Sequence, residues 1–169
     1  MSRYNVGVNE SPAPDFTLVA VATKRQFRLS SFRGRPVLLI FADANTARQS
    51  REVVVGLRQR YPEFARLVIA VVVDLRIVPG LLRGMAVGIM ETAYRGAAAE
   101  VPSGHDPAEH LILLQDWDGK VSGRYLSGEL NRHVQLALVD RDGLLAATYA
   151  GDDPATAALQ LVAGLLDDA

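Results

Sequence analysis

The chain has 169 residues, with 18 Lys and Arg against 19 Asp and Glu for a net charge of -1, and it is 49% hydrophobic and 22% charged. That length suits one domain that buries roughly two thirds of its unfolded surface, and the near-neutral balance offers no basic field for a nucleic acid. Cysteine is absent, which excludes disulfides, thiolate metal sites and any thiol nucleophile of the protein's own.

Residues 1–15, with Gly7, Pro12 and Pro14, read as an irregular lead-in to a single domain spanning 1–169. Met1 to Val6 lack the apolar core of a signal peptide, and no run approaches the ~18 apolar residues of a membrane span. A cytoplasmic protein outside the membrane is therefore expected. Phe16 to Val21 and Gln26 to Leu29 form two short strands around a polar turn at Thr23. Val37 to Phe41 is continuously apolar and reads as a strand covered on both faces.

A helix follows from about Ala47 to Arg60, with Val53, Val54, Leu57 and Tyr61 on its apolar stripe and Arg51, Arg58 and Gln59 outside it. Leu67 to Val73 is a second buried strand, and Ile77 to about Ala99 a long helix with Pro79 in its first turn. His105 to His110 reads as a loop into a third strand, His110 to Leu114. Lys120 to Tyr125 is a short helical or extended turn. Gln135 to Val139 and Leu144 to Tyr149 form a hairpin across Asp140-Arg-Asp-Gly143. Asp153-Pro154 caps a last helix whose inner stripe is Leu159, Val162 and Leu166. The order implies an α/β domain, a mixed central sheet with helices on both faces and an N-terminal hairpin.

Several of these pieces, in this order, resemble the thioredoxin-like superfamily, in particular the redoxin branch of thiol-disulfide oxidoreductases and peroxiredoxins. Ala13-Pro-Asp-Phe-Thr-Leu18 and Phe27-Arg-Leu-Ser-Ser-Phe-Arg-Gly34 match its opening hairpin; Asp116-Trp-Asp-Gly-Lys-Val121 with Tyr125, and Leu138-Val-Asp-Arg-Asp-Gly143, match its late turns. The resemblance implies a thioredoxin-like fold and places the reactive Cys-x-x-Cys at the start of the helix after the central strand. Here Thr46 and Gln49 occupy the two positions. It also implies a cis-proline or an arginine just before the penultimate strand, and Val134 stands there, with Arg132 and His133 beside it.

The candidate site is thus Thr46, Arg48, Gln49 and Ser50 with Arg132 and His133. Thr46-Ala-Arg-Gln49 fits a capping box, in which the threonine and glutamine side chains satisfy each other's backbone donors. The same helix start could hold a small anion on its free donors, with Arg48 adding charge. A third reading follows from the resemblance alone: a hydroxyl of Thr46 or Ser50 holding a bound small thiol, or an enzyme of peroxiredoxin ancestry acting on a thiol or peroxide. No residue is assigned as catalytic, and neither a cofactor nor a metal is expected. His105-Asp-Pro-Ala-Glu-His110 has no metal-ligand spacing, and Asp116-x-Asp-Gly119 and Asp140-x-Asp-Gly143 are explained by turn chemistry. The leading expectation is a cysteine-free binding or assembly module, a redoxin without redox chemistry.

On the long helix, Gly80, Gly84, Gly88, Thr92 and Gly96 recur every fourth residue and form a ridge of small side chains. Glycine inside a helix costs about 1 kcal/mol relative to alanine, so close packing is expected along it. Two partners are considered, this domain's own sheet or another of its helices, and a second copy in a homodimer.

Overall fold

The computed structural model describes residues 11–126 and 132–167; the lead-in before Ser11, and Asn131 of the loop ahead of Val134, lie outside them. The strands are β1 (Ser11–Pro12), β2 (Thr17–Ala20), β3 (Gln26–Arg28), β4 (Val37–Ala42), β5 (Val68–Asp74), β6 (Ile112–Asp116), β7 (Gln135–Val139) and β8 (Leu144–Ala150). They form one sheet in the order β1-β8-β7-β4-β5-β6-β2-β3. β4 and β5 pair in parallel, as do β5 and β6, whereas β7 runs antiparallel to β4. The mixed sheet expected from the sequence is therefore present, with the hairpin β2–β3 at one edge. The lead-in is less irregular than expected, since Ser11 and Pro12 pair with Leu145 and Leu144 of β8.

All six residues of β4 are buried, because its side chains alternate between two filled layers. Leu38, Ile40 and Ala42 face a core shared with α1 (Ala47–Arg60) and α5 (Pro154–Leu166). Val37, Leu39 and Phe41 face the other layer, where Phe16, Phe27 and Leu29 meet Val121 of α4 (Lys120–Tyr125). Tyr125 stacks on Phe41 at 5.2 Å, and its hydroxyl donates to the Pro14 carbonyl at 2.6 Å. The stripe of α5 is Ala158, Val162 and Leu166, with Leu159 only partly covered: small Ala158 lets α5 lie close to α1. Asp153 caps this helix by accepting from the Thr156 amide.

The long helix is a 3-10 turn over Gly80–Leu82 followed by α2 (Arg83–Ala99), which lies over the β6 side of the α1 layer. The turn readings hold: Asp118 and Asp140 accept from backbone amides two residues on, and Gly119 and Gly143 have φ of 66° and 83°. At Gly119 the positive φ disfavours any side chain, and a Cβ would in addition push the Arg76 guanidinium aside.

Two expectations need correction. His105–His110 is not all loop, because Asp106 caps a short helix, α3 (Pro107–His110), by accepting from Ala108, and Pro107 takes its first position. Arg58 does not lie outside the stripe of α1; it is 4% exposed. Four residues after Val54 and three before Tyr61, it falls on the inner stripe by geometry. Its guanidinium donates to the carbonyls of Leu67 (3.0 Å), His110 (3.1 Å), Tyr61 (3.3 Å) and Glu109 (3.5 Å). One cation thus ties the end of α1, the start of β5 and the end of α3. Burial pulls its pKa down to about 10, so it stays charged at neutral pH.

Arg58→Ala would strand the buried Leu67 carbonyl and should cost about 3 kcal/mol. Arg58→Lys keeps the charge without the planar fork and should recover less than half of that loss in urea unfolding.

Candidate functional site

The site is set by the register of the two central antiparallel strands. Phe41 of β4 pairs with Gln135 of β7, so the chain leaving β4 at Asp43 passes beside the chain arriving at β7 through His133 and Val134. The helix α1 then starts at Ala47 with its first turn pointing at that loop.

At the helix start the polar groups bond to one another. The Asp43 carboxylate accepts from the amides of Asn45 (2.9 Å) and Thr46 (3.0 Å) and from the Thr46 hydroxyl (3.0 Å). The Thr46 oxygen in turn accepts from the Asp43 amide at 2.9 Å. Thr46 is 1% exposed. The expected capping box is therefore not formed: Thr46 makes no side-chain cap bond to α1. Asp43 wins the Thr46 amide because it is local and charged, and such bonds are the stronger ones.

Gln49, released from capping, reaches across to the β7 loop. Its carbonyl oxygen accepts from the Val134 amide at 3.0 Å, and its amide nitrogen lies 3.2 Å from Nδ1 of His133. With the Gln49 oxygen taken by Val134, its amide nitrogen is the group that faces Nδ1 of His133 and can donate to it. A proline at 134 would have no amide to offer. Val134 has one, in a buried position, and Gln49 satisfies it. Gln49 thus supplies the acceptor that the buried Val134 amide requires.

Of the six candidate residues, the structure brings Gln49 and His133 together. Ser50 is buried and donates to the Ala47 carbonyl at 2.8 Å, one turn back in its own helix. Arg48 points outward, 3.4 Å from Glu52, and Arg132 is exposed. Two clefts lie elsewhere, a space of about 50 Å³ lined by Ala13, Leu29, Arg33 and Val139, and one of about 280 Å³ between Pro62–Ala65 and Gly104–His110.

The larger cleft lies over Arg58. The rings of His105 and His110 meet there at 5.8 Å, and the buried Nδ1 of His110 has no hydrogen-bond partner. Burial, with the Arg58 charge and His105 adding to it, pushes the His110 pKa down. Among the described residues no cluster of three or more His, Asp or Glu is placed to hold a metal. Sequence reasoning missed Arg58, whose only signal was its place on the stripe, and had no means of pairing Gln49 with Val134.

No family model matches the sequence, and no curated relative does. Solved structures do match in shape. The structure described as thiol:disulfide interchange protein DsbE from Chlorobium tepidum is 20% identical, with a TM-score of 0.64 over 94% of this chain and 97% of its own. The pneumococcal exposed lipoprotein thioredoxin Etrx1 from Streptococcus pneumoniae is 23% identical, with a TM-score of 0.61 over 90% of this chain and 100% of its own. A DsbF homologue from Corynebacterium diphtheriae reaches 0.65 at 9% identity, over 91% of this chain and 86% of its own. The shared architecture is the thioredoxin-like fold. Among the described residues no helix is long and apolar enough to cross a membrane.

Gln49→Ala should cost about 1–2 kcal/mol by stranding the Val134 amide, and hydrogen exchange should accelerate at Val134 well before the sheet amides of β7. His110 gives a pH signature. Because its folded pKa lies below the ordinary 6.5, the unfolded chain binds the proton first, so stability should fall as the pH drops below 6.5 and level off below the folded pKa. His110→Gln should flatten that part of the profile in urea unfolding at a series of pH values.

Proposed function

Because this chain has a thioredoxin-like fold and no cysteine, we propose that it is a binding or assembly module without thiol redox activity, a redoxin scaffold that has lost its reaction. The observation that carries the reading is the Gln49 bridge from α1 to Val134. Where the family pattern calls for a second cysteine and a proline, side chain and backbone bond to each other. Thr46, at the first cysteine's position, is buried with its hydroxyl engaged by Asp43. An alcohol there would also have to lose a proton far less acidic than a thiol's.

An enzyme of redoxin ancestry, acting on a bound thiol or peroxide through Thr46, Ser50, Arg48 or His133, would need an approach to those hydroxyls. The burial of Thr46 and Ser50 speaks against it. A small anion at the start of α1 is favoured by the exposure of Arg48 and Arg132. The Asp43 carboxylate, which accepts from the amides of Asn45 and Thr46 just ahead of the helix, works against it by its charge, while the donors of Ala47 to Gln49 are the ones an anion would use. A cytoplasmic location is part of the proposal; the pneumococcal protein of similar fold is an exposed lipoprotein, so cell fractionation is the check.

The purified protein should neither reduce insulin disulfides nor consume hydrogen peroxide with a dithiol donor, at any pH between the histidine and lysine ranges. Catalytic peroxide turnover by metal-free protein that Thr46→Val abolishes would overturn the reading and establish the enzyme.

A further inference from the structure

Among the described residues, the helix α2 is held to the domain on one side only. Met90 and Tyr94, with Val87 and Ala98, pack with Leu75, Leu111 and Leu113. Two of its charges are tied within the domain: Glu91 pairs with Lys24 at 2.9 Å, and the Arg83 guanidinium lies 5.0 Å from the Trp117 ring centroid. The outer side is apolar. Ile77 is 78% exposed, Leu81 99%, Met85 58% and Ile89 65%. Between them, a Cβ added at Gly84 or Gly88 would meet nothing within 4 Å. The ridge of small residues therefore does not pack on this domain's own sheet, which corrects the first of the two partners considered from the sequence.

The isolated chain thus carries two uncompensated costs on one face. The exposed aliphatic side chains present on the order of 600 Å² of apolar surface, at the upper end of what a monomer shows. Each interior glycine costs about 1 kcal/mol relative to alanine with no close contact to offset it. One kind of occupant removes both, a helix whose backbone approaches along the ridge. A lipid surface would cover the aliphatic side chains but gain nothing from the bare backbone at Gly84 and Gly88, and on this face only Arg95 would meet its phosphates.

A second copy supplies the matching surface. Antiparallel contact about a two-fold axis midway between Gly84 and Gly88 lays Gly84 of each helix on Gly88 of the other and brings Leu81 of each copy within two positions of Ile89 of the other. It also sets the two Arg95 side chains at opposite ends, so no like charges meet. The 17 residues of α2 give a contact about 25 Å long, and the apolar area per copy approaches the roughly 800 Å² per partner of a standard interface. We propose that α2 is an isologous homodimer surface, with the two helices crossing at Gly84 and Gly88. This names the partner for the assembly role proposed above and rests on that reading only for its biological meaning.

Sedimentation velocity of the full chain at increasing concentration tests it, with three variants: Leu81→Asp, Ile89→Asp, and Gly84→Leu with Gly88→Leu. All four positions are exposed, so each variant should keep the wild-type far-UV circular dichroism. The wild type should sediment as a dimer, and each variant should weaken dimerisation by at least about tenfold in Kd. A wild type that stays monomeric, or a dimer indifferent to all three variants, would overturn the proposal. So would a monomer that co-sediments with anionic phospholipid vesicles and loses them with Leu81→Asp, which would assign the face to lipid. None of these results bears on thiol inactivity, and peroxide turnover by a dimer would remove that reading alone.

Discussion

β4 is hydrogen-bonded on both edges and covered on both faces, and this double constraint fixes most of what surrounds it. Six consecutive buried residues admit one register with β5 and one with β7, because a slip by one residue would swap Leu38 and Ile40 with Leu39 and Phe41 between two differently shaped layers. The register in turn decides that the chain leaving β4 and the chain reaching β7 run side by side. α1 must begin beside the loop before β7, whatever residues occupy those places.

In a thiol oxidoreductase that junction presents a sulfur. Here the same junction carries polar groups that bond inward. Asp43 and Thr46 close a reciprocal set of hydrogen bonds at the start of α1, and the Gln49 oxygen accepts from the buried Val134 amide. A buried donor left without an acceptor is costly, so Val134 and Gln49 stabilise the domain only together. Arg58 does the same at the far end of α1, where four carbonyls from three segments converge on one cation. Polar side chains at both ends of this helix thus hold the architecture together, while the outer face of α2 meets no partner among the described residues of the domain.

The sequence made the scaffold readable for a physical reason: uninterrupted apolar runs such as Val37–Phe41 and turn pairs such as Asp140 with Gly143 act locally, and their order along the chain carries the fold. The bounds of α1 follow from its apolar stripe and hold at both ends. What local patterns cannot carry is competition between partners. Thr46 and Gln49 have the spacing of a capping box, yet Asp43, three residues earlier, takes the Thr46 amide, and Gln49 finds an acceptor's role 85 residues away at Val134. Arg58 was misplaced because charge argues for the surface, whereas its position on the wheel and the clustered carbonyls argue for burial. The glycine ridge was legible as a pattern, and only the fold tells which side of α2 it faces.

The proposal tested most directly is that the start of α1 is internal structure rather than a place where ligands bind or react. An NMR titration of the wild-type protein with glutathione, and separately with phosphate, tests it by following the amides of residues 43–50 and 132–135. The account predicts no saturable shift in either set, with the Val134 amide keeping the position set by Gln49. A saturable shift that moves Val134 and the first turn of α1 together, with either ligand, would contradict it and show that the junction still opens to a ligand.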